Sequence, residues 1–162
     1  MDFTIVDIST LDQRQLEALE RLLTVAFPAD SHDLIRVETR RACDPLLGQG
    51  LVALQDDRVT GAVLARLPRT GSRFVSYLAV AASHRRQGLA SSLLDQLTRA
   101  AGKGLELLVT DGNVAAERLY RDGGLVPIDN PGPARQRRWA GTWKPRQVPS
   151  SPRAATEAAP SR

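Results

Sequence analysis

The stretch FVSYLAVAASHRRQGLASSLLDQLTRAA, residues 74–101, decides the fold of this chain. Its first seven residues are almost continuously apolar, which is typical of a central strand that is covered on both faces. From Gly88 onward, leucines recur at the spacing of one helix face, at positions 89, 93, 94 and 97. The intervening residues 81–87 therefore join a buried strand directly to an amphipathic helix.

This junction has the composition of a phosphate-binding loop. The start of a helix presents unpaired backbone N–H groups and the positive end of the helix dipole. Gly88 and Ala90 keep the backbone open to close approach, while Arg85 and Arg86 add cations that pair well with phosphate oxygens. The pattern predicts a site for a pyrophosphate, although taken alone it also fits an ordinary capped turn.

Upstream of this stretch, the patterns predict a strand, two helices and a hairpin of two strands. Thr10 and Gln13 have the spacing of a capping box for the first helix, which is expected to end at Pro28. Ser31 is expected to cap the second helix, which ends near the Asp-Pro pair at 44–45. The predicted strands cover residues 3–8, 51–55 and 59–67.

Downstream of it, the patterns predict a fifth strand at residues 105–110 and a short helix capped by Asn113. That helix ends at Gly123 and Gly124, and two last strands follow at 125–128 and 137–143. The expected architecture is a mixed α/β fold with a central sheet of about seven strands and about four helices.

Composition points to one folded domain, residues 1–144, with a tail at 145–162. The chain has 162 residues, of which 42% are hydrophobic and 25% charged. The tail is rich in Pro, Ser, Ala and Arg and is expected to be disordered, and together with Lys144 it carries a net +3 of the chain's +4. No apolar run approaches the roughly 20 residues of a membrane span and no leader pattern is present, so we expect a cytoplasmic protein. A single cysteine, Cys43, and two distant histidines favour no metal site.

Two segments resemble motifs of the GNAT acetyltransferases. Arg85, Gly88 and Ala90 match the pattern of the family's motif A, which is Arg or Gln, two residues, Gly, one residue, then Gly or Ala. Residues 113–125, NVAAERLYRDGGL, resemble its motif B, with Leu125 where the family usually has Phe.

The resemblance implies a GNAT fold in which the fourth and fifth strands splay apart around the pantetheine arm of acetyl-CoA. Backbone N–H groups at the helix start take the pyrophosphate in this family. The cofactor-binding residues that it implies here are Leu78, Ala79, Val80, Arg85, Arg86, Gln87, Gly88, Leu89, Ala90 and Asn113.

The resemblance also places Tyr120 where the family has a tyrosine beside the sulfur, as general acid for the leaving thiol. The alternative role for Tyr120 is to pack its helix against the hydrophobic core. The general base stays open. Glu106 on the fifth strand is the first choice, and the other candidates are Asp111, His32, Tyr77 and a chain of ordered water molecules.

The expected activity is direct transfer of an acetyl group from acetyl-CoA to a primary amine in a ternary complex. A small-molecule acceptor is favoured over a protein. Because the folded body carries little net charge, steering of strongly charged acceptors is not indicated. The alternatives are an acyl-CoA-binding sensor or partner module without turnover, and binding of nucleic acid by the Arg-rich tail, which is the least favoured. A homodimer formed through the last strands also remains open.

Overall fold

The computed structural model describes residues 2–67, 72–99, 104–129 and 135–145. The predicted tail, apart from residue 145, lies outside the described residues and stays a prediction. The structure contains strands and helices in the expected order. They are β1 (Thr4–Asp7), α1 (Gln13–Ala26), α2 (His32–Cys43), β2 (Gly48–Gln55), β3 (Arg58–Arg66), β4 (Arg73–Val80), α3 (Leu89–Arg99), β5 (Gly104–Thr110), α4 (Val114–Asp122), β6 (Val126–Pro127) and β7 (Gln136–Thr142).

The seven strands form one mixed sheet in the order β1-β2-β3-β4-β5-β7-β6. All neighbouring pairs are antiparallel except β4 and β5, which run parallel. Two hydrophobic cores cover the two faces of this sheet, one including α1 and α2 and the other including α3 and α4. The predicted α/β fold with about seven strands and four helices is therefore confirmed.

The cap of α1 was predicted two residues too early. Asp12, not Thr10, is the N-cap, and its carboxylate accepts a hydrogen bond from the backbone N–H of Gln15, whose side chain returns the bond. Thr10 instead ends a short 3-10 turn that begins at Ile8, the residue predicted to close the first strand. The hydroxyl of Thr10 donates to the backbone carbonyl of Asp7, and because α1 begins only at Gln13, Thr10 lies too far upstream to cap it.

Other predicted ends agree with the structure. Ser31 caps α2 by accepting from the N–H of Leu34, and Asn113 caps α4 by accepting from the N–H of Ala116. Gly124 takes the left-handed conformation, with φ of +95°, just after α4. None of the helices in the described ranges is both long and apolar enough to cross a membrane.

Candidate active site

The centre of the sheet opens between β4 and β5. The two strands pair at Arg73–Val75 and Leu105–Leu107, and the register ends at the pair Val75 and Leu107. Beyond this pair, the described residues of β4 and β5 make no ladder with each other. The predicted splay of the fourth and fifth strands is confirmed, and it exposes two strand edges to any ligand between them.

A β-bulge lies at the apex of this opening. On the other side of β4, Leu64 pairs with Tyr77 while Ala65 pairs with Val75, so Ser76 is an extra residue without a partner on β3. A bulge bends its strand and increases the local twist. The bend therefore begins at the residue where β4 leaves β5.

The opening forms a cleft of about 750 Å³ that runs from the splayed strands to the start of α3. Ala26 and Phe27, at the end of α1, border it as well. The predicted cofactor-binding residues line this cleft with the exception of Gln87. They are Leu78, Ala79, Val80, Arg85, Arg86, Gly88, Leu89, Ala90 and Asn113.

The loop before α3 has the shape of an open cradle. Arg86 and Gly88 both take left-handed conformations, with φ of 65° and 75°. A Cβ atom at Gly88 would meet no atom within 4 Å, so the space beside it is open. The Nε of Arg85 donates to the carbonyl of Val80 at 3.3 Å, which ties the loop to the end of β4. Because α3 begins at Leu89, its unpaired backbone N–H groups follow directly, as anion binding requires.

Tyr120 lies at the cleft with its side chain almost fully enclosed. It is 7% exposed, and it lines the cleft from α4. Burial raises the pKa of the Tyr120 phenol, so this group keeps its proton at neutral pH. Among the described residues its hydroxyl has no hydrogen-bond partner, which leaves the O–H free to donate to a ligand in the cleft.

Glu106 does not line the cleft. Its carboxylate forms an ion pair with Arg138 on β7, with 3.1 Å between Nε and Oε1. Glu106 alternates with Leu105 and Leu107, which are buried on the α3 and α4 face of the sheet, so it lies on the opposite face. This geometry favours a structural ion pair over a role as general base.

The other proposed bases also lie outside the cleft lining. Asp111 pairs with Arg137 at 3.8 Å, and His32 is exposed at the start of α2. The hydroxyl of Tyr77 donates to Asp30 at 2.7 Å, and burial together with Asp30 raises the pKa of Tyr77.

His84 does line the cleft, but both ring nitrogens already have neighbours. They lie 2.6 Å from the side-chain oxygen of Gln55 and 2.8 Å from the hydroxyl of Ser83. The described residues contain no group of three side chains that could hold a metal ion.

One polar cluster beside the cleft was not predicted, and we call it the Glu38 cluster: Glu38, Arg41, Arg66 and Ser76. Glu38 is only 4% exposed and accepts hydrogen bonds from Arg66 and from the hydroxyl of Ser76, the latter at 3.1 Å. Arg41 lies 3.8 Å away. A signal existed in the sequence, because Glu38 occupies the buried stripe of α2 with Ile35 and Ala42.

Opposing effects set the pKa of Glu38. Burial alone would raise it, but the hydrogen bond and charge of Arg66, the hydrogen bond from Ser76 and the charge of Arg41 together hold it below its ordinary value. Glu38 is therefore a carboxylate at neutral pH.

Comparison with known proteins agrees with this geometry. The model of the acetyltransferase (GNAT) family matches residues 16–124. No curated protein sequence matches the chain.

Solved structures share the fold at low sequence identity. A GNAT-family acetyltransferase from Staphylococcus aureus Mu50 superposes with a TM-score of 0.73 at 15% identity, covering 88% of this chain and 100% of that one. PaiA N-acetyltransferase from Thermoplasma acidophilum, solved with coenzyme A, has a TM-score of 0.70 at 15% identity, with coverage of 88% and 100%. The ribosomal-protein-S18-alanine N-acetyltransferase of Escherichia coli has a TM-score of 0.69 at 19% identity, with coverage of 91% and 97%.

Proposed function

The chain belongs to the GNAT family of acetyltransferases, and on this premise we propose that it transfers an acetyl group from acetyl-CoA to a primary amine. In this reaction the amine nitrogen forms a bond to the thioester carbonyl carbon and the carbon–sulfur bond breaks. The nitrogen loses one proton and the sulfur of CoA gains one. The observation that carries the proposal is the cleft between β4 and β5, which leads directly to the open loop before α3.

The cleft suits acetyl-CoA in both shape and chemistry. An extended pantetheine arm carries amide groups that can pair with the unpaired edge of β4 at Leu78, Ala79 and Val80. The pyrophosphate fits the cradle formed by residues 85–90, where a bare Gly88 and the start of α3 offer space and N–H donors. Asn113 already uses its side-chain oxygen to cap α4, so its NH₂ group is the part that can donate to the cofactor.

Tyr120 is the proposed donor to the sulfur. A thiol with a pKa of about 8.5 leaves as a thiolate that needs only modest stabilisation. Because burial raises the pKa of Tyr120, its phenol favours donating a hydrogen bond to the developing thiolate over giving up its proton completely, and the sulfur then takes its proton from water.

We propose that the amine loses its proton to a chain of ordered water molecules, which carries the proton from the cleft to solvent. An amine with a pKa near 10.4 is free in about one molecule in a thousand at pH 7, so a proton must leave before attack. Of the candidate bases, Glu106, Asp111, His32 and Tyr77 do not line the cleft, which leaves the chain of water molecules. Direct transfer in a ternary complex follows, because no nucleophilic side chain is required.

For the acceptor, we propose a small-molecule amine, and for the compartment, the cytoplasm. A peptide or protein amine is the nearest alternative, since the similar E. coli structure is named a ribosomal-protein-S18-alanine N-acetyltransferase. We also propose that the protein forms a homodimer through its last strands.

An assay of thiol release tests this proposal against the sensor alternative. Purified protein is mixed with acetyl-CoA and, in turn, with spermidine, an aminoglycoside, free amino acids and a peptide with an unblocked N-terminus. The enzyme proposal predicts release of CoA that depends on one of these amines. Tight binding of acetyl-CoA without release in any mixture would support a sensor or partner module instead.

A further inference from the structure

Ser76 lies at the apex of the opening between β4 and β5, where the proposed function would bring the acceptor to the thioester. It is the bulge residue of β4, it follows directly on the last β4–β5 pair, and it lines the cleft. Leu108 holds the equivalent position on β5 and lines the cleft from the other side. The two residues therefore flank the apex of the opening.

The hydroxyl of Ser76 has a fixed direction. Its neighbour at 3.1 Å is the Glu38 carboxylate, which is buried and held ionised by Arg66 and Arg41. An ionised carboxylate can only accept hydrogen bonds, so the serine must be the donor. A hydroxyl carries one proton, and here that proton is committed to Glu38.

What Ser76 can still offer the cleft is a pair of acceptor sites. A serine whose hydroxyl rotates freely can either donate a hydrogen bond to a ligand or accept one from it. Ser76 can only accept one, because its proton points at Glu38. We infer that Ser76 is a specificity-determining residue for the acceptor. The oxygen of Ser76 accepts a hydrogen bond from an N–H of the attacking amine, because its own proton is already donated to Glu38. The inference rests on the proposed function.

Glu38 and Arg66 act through Ser76 and do not touch the acceptor in this scheme. They are positioning residues, and the specificity that they create favours a nitrogen nucleophile that keeps an N–H during attack. An attacking hydroxyl has only one proton, and once that proton is lost its oxygen would face the lone pairs of Ser76 without a proton between them, which is unfavourable.

Two analogues isolate this hydrogen bond without requiring the natural acceptor. In the first, the sulfur of CoA carries CH₂–C(=O)–NH–butyl, and in the second, CH₂–C(=O)–O–butyl. They differ only in the group that occupies the nucleophile position, an N–H or an ester oxygen. Both are titrated calorimetrically into the purified protein, as is acetyl-CoA.

We expect the unaltered protein to bind the amide analogue about tenfold more tightly than the ester. Ser76→Ala should reduce this preference to below twofold, while Ser76→Thr, which restores a hydroxyl, should recover most of it. Thr39→Ala is the matched control, because it removes a buried hydroxyl from α2 next to Glu38 whose one hydrogen bond within the described ranges goes to the backbone of Ile35. Its preference should match that of the unaltered protein.

The outcomes separate this inference from the proposed function. Equal affinity for the two analogues, or a preference that persists in Ser76→Ala, would overturn the role of Ser76 and leave acetyl-CoA binding intact. If folded protein bound neither analogue nor acetyl-CoA, the proposed function would fail and the inference with it.

Discussion

Two regions in and around the cleft are built in different ways. One side, which we call the motif side, consists of residues 78–80 and 85–90 with Asn113 and Tyr120. It depends on backbone geometry, small residues and the start of a helix. The other, which we call the charged side, consists of the Glu38 cluster together with Glu106 and Arg138, and of these residues only Ser76 lines the cleft. It depends on side-chain pairs between distant strands and helices.

This difference has a functional consequence under the proposed reaction. A cosubstrate shared by a whole family can be held by backbone groups, which any sequence supplies once the fold forms. An acceptor that varies from one relative to the next must be recognised by side chains. The charged side is therefore where the specificity of this chain is expected to lie.

The largest expected effect comes from changing Gly88 to Glu on the motif side. The substitution forces a side chain into a left-handed position and places a negative charge at the proposed pyrophosphate site. We expect the affinity for acetyl-CoA to fall about 1,000-fold, as measured by calorimetric titration. Gly112→Glu is the matched control, because Gly112 has φ of +89°, equally open space and no place in the cleft lining. Equal losses in both variants would show that strain, not the pyrophosphate site, is responsible.

The next effect concerns turnover on the motif side. Tyr120→Phe removes the one hydroxyl proposed to stabilise the thiolate, so kcat should fall about 100-fold while the dissociation constant of acetyl-CoA stays within about twofold. Tyr77→Phe serves as the control, since it removes the only other tyrosine hydroxyl and that group bonds to Asp30 outside the cleft. A Tyr120→Phe variant with unchanged kcat would reduce Tyr120 to a packing residue.

On the charged side, Glu38→Gln should act mainly on stability. It leaves Arg66 without its carboxylate, and because Arg66 is 44% exposed, we expect a loss of about 2 kcal/mol in the free energy of unfolding by urea. Since the pKa of Glu38 is lowered on folding, its contribution is complete above the ordinary value of 4.5 and is lost as the pH falls through the lowered value. The difference between the two proteins should therefore shrink below pH 4.5. A constant difference at all pH values would exclude the carboxylate as its origin.

The smallest effect is expected at Glu106. The Glu106 side chain is 33% exposed, so solvent weakens its ion pair with Arg138. Glu106→Gln should therefore change the free energy of unfolding by less than about 1 kcal/mol. Because Glu106 lies outside the cleft lining, the substitution should also leave kcat within about twofold of that of the unaltered protein. A 100-fold fall in kcat would instead restore Glu106 as the general base and would mean that the charged side takes part in the chemistry.

The two sides also differ in how well the sequence predicts them. The motif side follows from one continuous stretch, in which the buried strand, the basic loop and the leucine stripe are all local. The order of elements followed from the same kind of local pattern. The predicted cap of α1 was wrong because Asp12 and Gln15 have the same spacing as Thr10 and Gln13. The structure uses the later pair, while Thr10 forms the end of the 3-10 turn.

The charged side could not be assembled from local patterns. Glu38 is separated by 28 residues from Arg66 and by 38 from Ser76, and only the packing of α2 against the sheet brings them together. The face on which Glu106 lies depends on the strand register, which the apolar pattern of β5 leaves open. The bulge at Ser76 shifts by one residue the alternation of β4 side chains between the two faces of the sheet. The residues around Ser76 contain no pattern that predicts this shift.

The central claim is that the cleft between β4 and β5 binds acetyl-CoA, and calorimetric titration of the unaltered protein tests it most directly. We predict saturable binding with one molecule per chain, competed by free CoA. A protein shown by circular dichroism to be folded, yet giving no binding of acetyl-CoA up to millimolar concentration, would contradict the account.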